Sequence, residues 1–271
     1  MCDRKSKGGA GIMKLTKRNY FSTKANKEYM SCSQVKAFRK CEASALAEIE
    51  GKYKRPNTIA LLVGGFIDAY FESETSYAKF INEHKDELFT KKGDFIAEIK
   101  QAFKIIERIK QDELTMKYLD GKKQVIMTGE INGVPFKVKT DVLHDDKIVD
   151  QKIMKDFKNI YVEDRGYVPW FDAWEYDLQG AIYQEIVRQN IEKKLPFYLQ
   201  AATKESTPDI DIVHISQSYL DFEMSKLENE VLRYDAIKKH IIEPDRCEHC
   251  DYCKSTKVLT EPTEANDFYL M

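Results

Sequence analysis

The sequence predicts an α/β protein: a central mixed β-sheet built around an antiparallel meander, flanked by helices, with a helical N-terminal portion packed on it. Three observations carry that reading. Apolar residues recur at three- and four-residue steps through the first 110 or so positions. After Gly121 the texture changes to β-rich runs broken by an Asn-Gly turn. Helical periodicity returns from Asp172, interrupted by two more strand-like runs.

In chain order, residues 1–12 are rich in Lys, Gly and Ser without apolar period and read as a disordered leader. Residues 13–271 read as one domain, since no internal repeat or linker divides them. A helix begins at Ser31 or Ser33, either of which can cap it; Val35, Phe38, Cys41, Ala45, Leu46 and Ile49 form its apolar stripe, and Gly51 stops it. A second helix runs from about Thr58 to Phe71. Gly64-Gly65 inside it costs on the order of 1 kcal/mol per residue relative to alanine, which points to a close approach by another element. More helix follows, with Phe95, Ile99, Phe103, Ile106 and Ile109 along one face.

Residues 124–131 and 134–141 then read as two strands joined by Asn132-Gly133, a strong two-residue hairpin turn. A polar connection leads to a third strand over 147–152, completing the meander. Asp172 to about Lys194 reads as a long helix with Leu178, Ile182, Ile186 and Ile191 inward. Strands over 197–202 and 210–215 and a helix from about Tyr219 to His240 follow, ahead of a cysteine cluster over 247–253.

Composition excludes several classes. No apolar run approaches the roughly 20 residues that cross a bilayer, and no signal-type segment opens the chain, so the cytoplasm is the expected address. With 43 basic and 45 acidic residues the formal net charge is −2, which excludes a histone-like polycation. It leaves room for a nucleic-acid substrate, because phosphate binding needs only local cations in a groove.

The chemistry concentrates in the meander. Asp141 ends one strand, and Asp150 and Lys152, two apart on the next, share a face. Two carboxylates and an ammonium on one patch are costly unless a cation sits between the acids, and Mg²⁺ suits few protein carboxylates with water and phosphate oxygens completing its shell. The chemistry that follows is phosphodiester hydrolysis, with Lys152 orienting the attacking water or offsetting charge on the phosphate. Asp-x-Lys alone is a common surface pair, so the argument rests on its company.

Asp141-x8-Asp150-x-Lys152 across a hairpin resembles the PD-(D/E)XK nucleases. Gly64-x3-Asp68-x3-Glu72 upstream and Gln179-x3-Tyr183 downstream resemble the branch that includes the RecB nuclease domain, with Asp68 where that branch often carries histidine. The resemblance implies a restriction-endonuclease-like core. It also implies Asp68, Asp141, Asp150 and Gln151 as the metal set for Mg²⁺ or Mn²⁺. Glu72, Gln179 and Tyr183 join Asp141, Asp150 and Lys152 in the catalytic set. An oxygen ligand at Asp68 hardens the site toward those ions.

The layout Tyr-Met-Ser-Cys-Ser-Gln-x5-Arg-Lys-Cys-Glu-Ala, the meander and the terminal Cys-x2-Cys-Asp-Tyr-Cys resemble phage and prophage exonucleases of the exodeoxyribonuclease VIII (RecE) type over residues 20–260. That similarity implies exonuclease action on double-stranded DNA ends, 5′ to 3′, in phage recombination. A single-strand annealing partner and a ring-shaped homo-oligomer accompany it. An endonuclease or structure-specific nuclease on the same core, and a non-catalytic metal-stapled DNA-binding protein, are the competing readings.

Cys247, Cys250 and Cys253 supply three thiolates, and a tetrahedral site needs a fourth ligand. Related nucleases close a [4Fe–4S] cluster with one early cysteine, which points to Cys41. Their late trio is spaced Cys-x2-Cys-x5-Cys, wider than here, so a zinc site completed by His249 or Cys32, or unligated thiols, stand beside the cluster reading. For DNA, Lys137, Lys139, Lys155 and Lys158 are the candidate phosphate contacts. Trp170, in an aromatic loop with Tyr161, Tyr167 and Trp174, is the candidate for engaging a terminal base pair, against a core role for the same ring.

Overall fold

The structure, a computed structural model, describes residues 13–262 and Ala265; the expected leader over 1–12 lies outside them. The N-terminal portion is helical: α1 (Thr23–Glu28), α2 (Cys32–Lys40), α3 (Glu42–Ile49), α4 (Ile59–Glu72), α5 (Glu74–Glu83), α6 (Lys85–Leu88), α7 (Ala97–Lys110) and α8 (Glu113–Leu119). Short polar side chains start several of them. Ser22, Thr58, Ser73 and Asp112 each accept a hydrogen bond from the backbone N–H three residues on, satisfying a donor the helix itself cannot.

The single helix expected from Ser31 to Gly51 is two. At Cys41 the backbone turns extended (φ −167°, ψ 110°), so this residue ends α2 and starts α3. The glycine pair in α4 divides in the same way: a Cβ on Gly65 would lie 2.8 Å from the Phe80 ring of α5, whereas Gly64 faces open space. Phe66 of α4 sits at the centre of one core, ringed edge-on by Tyr77, Phe80, Phe95 and Phe103.

The strands are β1 (Lys122–Ile131), β2 (Val134–Leu143), β3 (Ile148–Met154), β4 (Ile160–Val162) and β5 (Gly166–Val168). Then come α9 (Trp170–Ala173), α10 (Tyr176–Ile191), β6 (Phe197–Thr203), β7 (Ile210–Ile215), α11 (Gln217–Lys238) and α12 (Asp251–Ser255). The central sheet has the order β1-β2-β3-β6-β7, with β3 parallel to β6 and the other neighbours antiparallel. Asn132 (φ 48°) and Gly133 (φ 75°) both take the left-handed backbone that a tight hairpin of this kind requires.

Helices cover the sheet on two sides. Val142, Val149 and Ala202 pack into the core of α4 and α7. Phe136, Val138, Phe197 and Leu199 pack into cores that hold Leu178 and Ile182 or Ala181 and Val187 of α10, with α11 behind. Gly180 makes that approach possible: a Cβ there would lie 2.6 Å from Phe197 and 2.8 Å from Leu220. The close seating brings α10 onto β6 of the sheet.

Two expectations are corrected. The helix expected from Asp172 to Lys194 breaks at Glu175, whose left-handed backbone (φ 53°) separates α9 from α10, and it ends at Ile191. Ile191 is therefore 40% exposed rather than inward. The expected aromatic loop contains the β4–β5 hairpin, with Tyr161 and Tyr167 paired on it and both exposed.

Candidate active site

The site forms where two strands part. β2 and β3 pair only at Val142–Val149 and Leu143–Ile148, next to their connection. Beyond that point Asp141 replaces the missing ladder: its Oδ2 accepts the Gln151 N–H at 3.0 Å, and its Oδ1 accepts from Gln124 Nε2 at 3.2 Å. Asp150, 1% exposed, projects into the gap. Its Oδ1 accepts from Gln179 Nε2 at 2.6 Å. Its Oδ2 forms an ion pair with Lys152 Nζ at 2.5 Å. Lys152 Nζ also sits 4.8 Å from the centre of the Tyr176 ring. Asp68 of α4 reaches the same cleft of about 520 Å³, with Asp141, Asp150, Gln151, Lys152, Gln179 and Tyr183.

Three acids crowded into a largely dry site raise one another's cost of ionisation. Burial, then the charge of Asp141, pushes Asp68 well above the usual carboxylate range. Burial likewise raises Asp150 to about 7, against the pull of Lys152 and with Asp141 adding to the rise. For Lys152 burial works against the charge, but Asp150 outweighs it and holds the ammonium protonated. Asp68, Asp141 and Asp150 offer oxygen donors of the kind a hard divalent cation takes, with Lys152 the counter-charge at Asp150 Oδ2. These three carboxylates could hold such an ion, although their oxygens are not gathered as closely as the four sulfurs of Cys41, Cys247, Cys250 and Cys253.

The other expected site residues divide. Gln151 is brought to the site, but its amide donates to Gln200 Oε1 on β6 at 2.9 Å, so its side chain is committed to the sheet. Tyr183 lines the cleft with its hydroxyl donating to the Lys139 carbonyl at 3.2 Å. Glu72 lies one helical turn beyond Asp68 and pairs with Lys17 at 2.6 Å.

Lys137 and Trp170 both lie inside the fold, Trp170 in the core role weighed against base-pair contact. Lys137 is 2% exposed, and its ammonium donates to the Tyr20 carbonyl and Asn26 Oδ1 at 2.5 and 2.7 Å, so it braces α1 from beneath. Trp170 is 6% exposed and stacks on Phe157, a core ring and not a free one. Lys139 lines the cleft, and Lys155 and Lys158 are exposed on the segment leaving β3. Sequence reasoning missed Gln124, Tyr176 and Lys36. Gln124 carries a positive φ (52°) that aims it across the strand pair, and no local motif announces that conformation.

Cys41 meets the terminal trio as expected. The sulfurs of Cys41, Cys247, Cys250 and Cys253 all lie within 4.8 Å of one another, with Cys41–Cys253 at 3.5 Å and Cys247–Cys253 at 3.9 Å. His249 and Cys32 do not join this group, and Cys32 lines the catalytic cleft instead. Burial opposes ionisation of Cys247, but the backbone N–H groups of His249 and Cys250 outweigh it and bring that thiol down to about 6. Burial pushes Cys253 up to about 12. The set fits one soft or borderline cation.

The five-stranded mixed sheet and its flanking helices match a PD-(D/E)XK nuclease-like fold. The chain belongs to the family described as PDDEXK-like domain of unknown function (DUF3799), whose model matches residues 31–256. A solved structure entitled "Putative exonuclease" from Eubacterium rectale is similar at 43% identity with a TM-score of 0.90, covering 94% of this chain and 98% of that one. No curated protein matches the chain. Nucleases of this class use divalent metal ions and act on nucleic acid. No helix among the described residues is long and apolar enough to cross a membrane.

Proposed function

We propose that this protein is a DNA exonuclease, dependent on Mg²⁺ or Mn²⁺, that hydrolyses phosphodiester bonds from the ends of duplex DNA with 5′ to 3′ polarity. The observation that carries the reading is the gathering of Asp68, Asp141 and Asp150 with Lys152 in one cleft. The similar Eubacterium rectale structure, named for exonuclease activity, supports the end-dependent form. A divalent cation held by the three acids supplies Lewis acidity and a stronger nucleophile at neutral pH. The chain's own residues do the rest. Gln179 fixes the Asp150 rotamer, the Gln151 N–H and Gln124 fix Asp141, and the Lys152 ammonium offsets charge that builds on the phosphate. Lys139, Lys155 and Lys158 are the phosphate contacts of this reading.

End-dependence favours a ring of copies through which DNA threads, with a single-strand annealing protein receiving the product in phage recombination. The test is cleavage of 5′- and 3′-labelled linear duplex beside covalently closed circles, with Mg²⁺ or Mn²⁺, by the unmutated protein and by Asp150→Asn. Release of nucleotides from the 5′-labelled end of linear DNA alone, abolished in Asp150→Asn, is expected. Cutting of closed circles would replace the exonuclease reading by an endonuclease one, and hydrolysis retained by Asp150→Asn would exclude this site.

We propose further that the four cysteines bind one zinc ion. Zinc–sulfur bonds of about 2.3 Å in a tetrahedron set sulfurs about 3.8 Å apart. The Cys41–Cys253 and Cys247–Cys253 separations of 3.5 and 3.9 Å bracket that value. A [4Fe–4S] cluster gives each thiolate its own iron and needs sulfurs roughly 6 Å apart. The spacing therefore favours the mononuclear ion over the cluster that resemblance to related nucleases implies.

A further inference from the structure

Lys36 of α2 is a second cation at the catalytic cleft. It lines the same cavity as the three acids, and its Nζ sits 4.8 Å from the centre of the Tyr176 ring, the distance at which Lys152 Nζ approaches that ring. One aromatic ring therefore serves two ammonium groups, from α2 and from β3.

Among the other cleft cations, Lys139 lies over the Tyr20 and Phe21 rings as a phosphate contact already proposed, and the remainder are engaged within the fold. Lys152 pairs with Asp150, Arg55 pairs with Glu48 at 2.5 Å, and Lys137 donates to Tyr20 and Asn26 within the fold. Lys36 makes one hydrogen bond, to the Trp174 carbonyl at 2.7 Å, and no carboxylate among the described residues pairs with it. An ammonium carries three protons, so two remain for another acceptor. Burial, with the like charge of Lys152 adding to it, presses its pKa down. A phosphate would supply the missing counter-charge.

Resting on the nuclease reading above, we propose that Lys36 binds a backbone phosphate of the substrate strand in this cleft. A structural role, as a tie between α2 and the turn before α10, would use the Trp174 hydrogen bond alone. The two roles separate by salt dependence, because each phosphate neutralised by a lysine adds about 0.9 to the slope of log affinity against log salt.

The experiment measures binding of a short blunt-ended duplex in Ca²⁺ across a salt series, for the unmutated chain, Lys36→Met, Lys36→Arg and Lys79→Met on exposed α5. Lys36→Met is expected to bind roughly tenfold more weakly at low salt, with a slope shallower by about 0.9. Lys36→Arg and Lys79→Met should keep the full slope. A Lys36→Met chain with unchanged melting temperature and the full slope overturns the proposal, as does weaker binding without a change of slope. If the unmutated chain shows no salt-dependent binding to duplex, the nuclease reading fails first and takes this proposal with it.

Discussion

At the scale of single residues, the active site depends on how carboxylates are held more than on how many there are. Asp150 keeps one oxygen on Gln179 and pairs the other with Lys152. Groups that orient a ligand carry about 10–100-fold in metal affinity or activity. Gln179→Ala should therefore raise the Mn²⁺ concentration for half-maximal cleavage by about that factor, with little change in melting temperature. A different pair of residues sets a pH dependence. Burial brings Lys238 down to about 7 and Lys137 down to about 8, while both sit near 10.5 in the unfolded chain. Between those values the unfolded chain binds more protons than the folded one, so stability rises as pH increases from about 7 towards 10. Thermal melts across that range should show the climb, and Lys238→Met should flatten it. Trp170 is now a folding residue: cutting its buried ring to alanine removes core packing before it removes any DNA contact.

Elements are held in place by charges that no local pattern reveals. Arg39 of α2 donates to Glu175 at the start of α10 and to Glu223 and Glu230 of α11, at 2.8, 3.0 and 2.8 Å. One guanidinium thus ties the helix that carries Lys36 to the helix that carries Gln179. Removing it strands Glu223, which is buried beside its remaining partner Lys226. Arg39→Ala should cost about 3 kcal/mol, read as a fall in the denaturant midpoint. The strands of the meander were legible from alternation and the Asn132-Gly133 turn, and so were the start of α4 near Thr58 and the strands β6 and β7. The break at Cys41 was not. Its neighbours keep helical spacing, and only the pull of a distant cysteine cluster and the packing of α3 against α12 favour extended backbone there. The β4–β5 hairpin escaped for a similar reason, being too short for its period to register.

For the whole molecule, the cysteine group joins the beginning of the fold to its end. Cys41 lies between α2 and α3, and Cys253 lies in α12, more than 200 positions later. Closing so long a loop would make the proposed zinc part of the folding free energy. Purified protein should contain one zinc per chain by elemental analysis. Removing it, or making Cys41→Ser, should lower the melting temperature by roughly 5–10 °C. Iron in place of zinc, with absorbance near 400 nm, would instead establish the cluster. Because α2 runs from this group to the cleft, loss of metal should also weaken duplex binding.

By itself the sequence determined the α/β class, the meander and the acid-and-lysine motif, because strand alternation, turn chemistry and motif spacing are local and survive without a partner. It also singled out distant residues that the fold brings together, Asp68 and Gln179 in the cleft and Cys41 beside the terminal cysteines. Only the tertiary structure decided how those groups are used. Burial turned Lys137 and Trp170 inward, and the parting of β2 from β3 gave Asp141 a backbone N–H to hold. The close seating of α10 on the sheet set Gln179 on Asp150, and Tyr176 drew Lys36 and Lys152 to one ring. Each of those outcomes depends on which surfaces are removed from water together, and that is a property of packing across the chain.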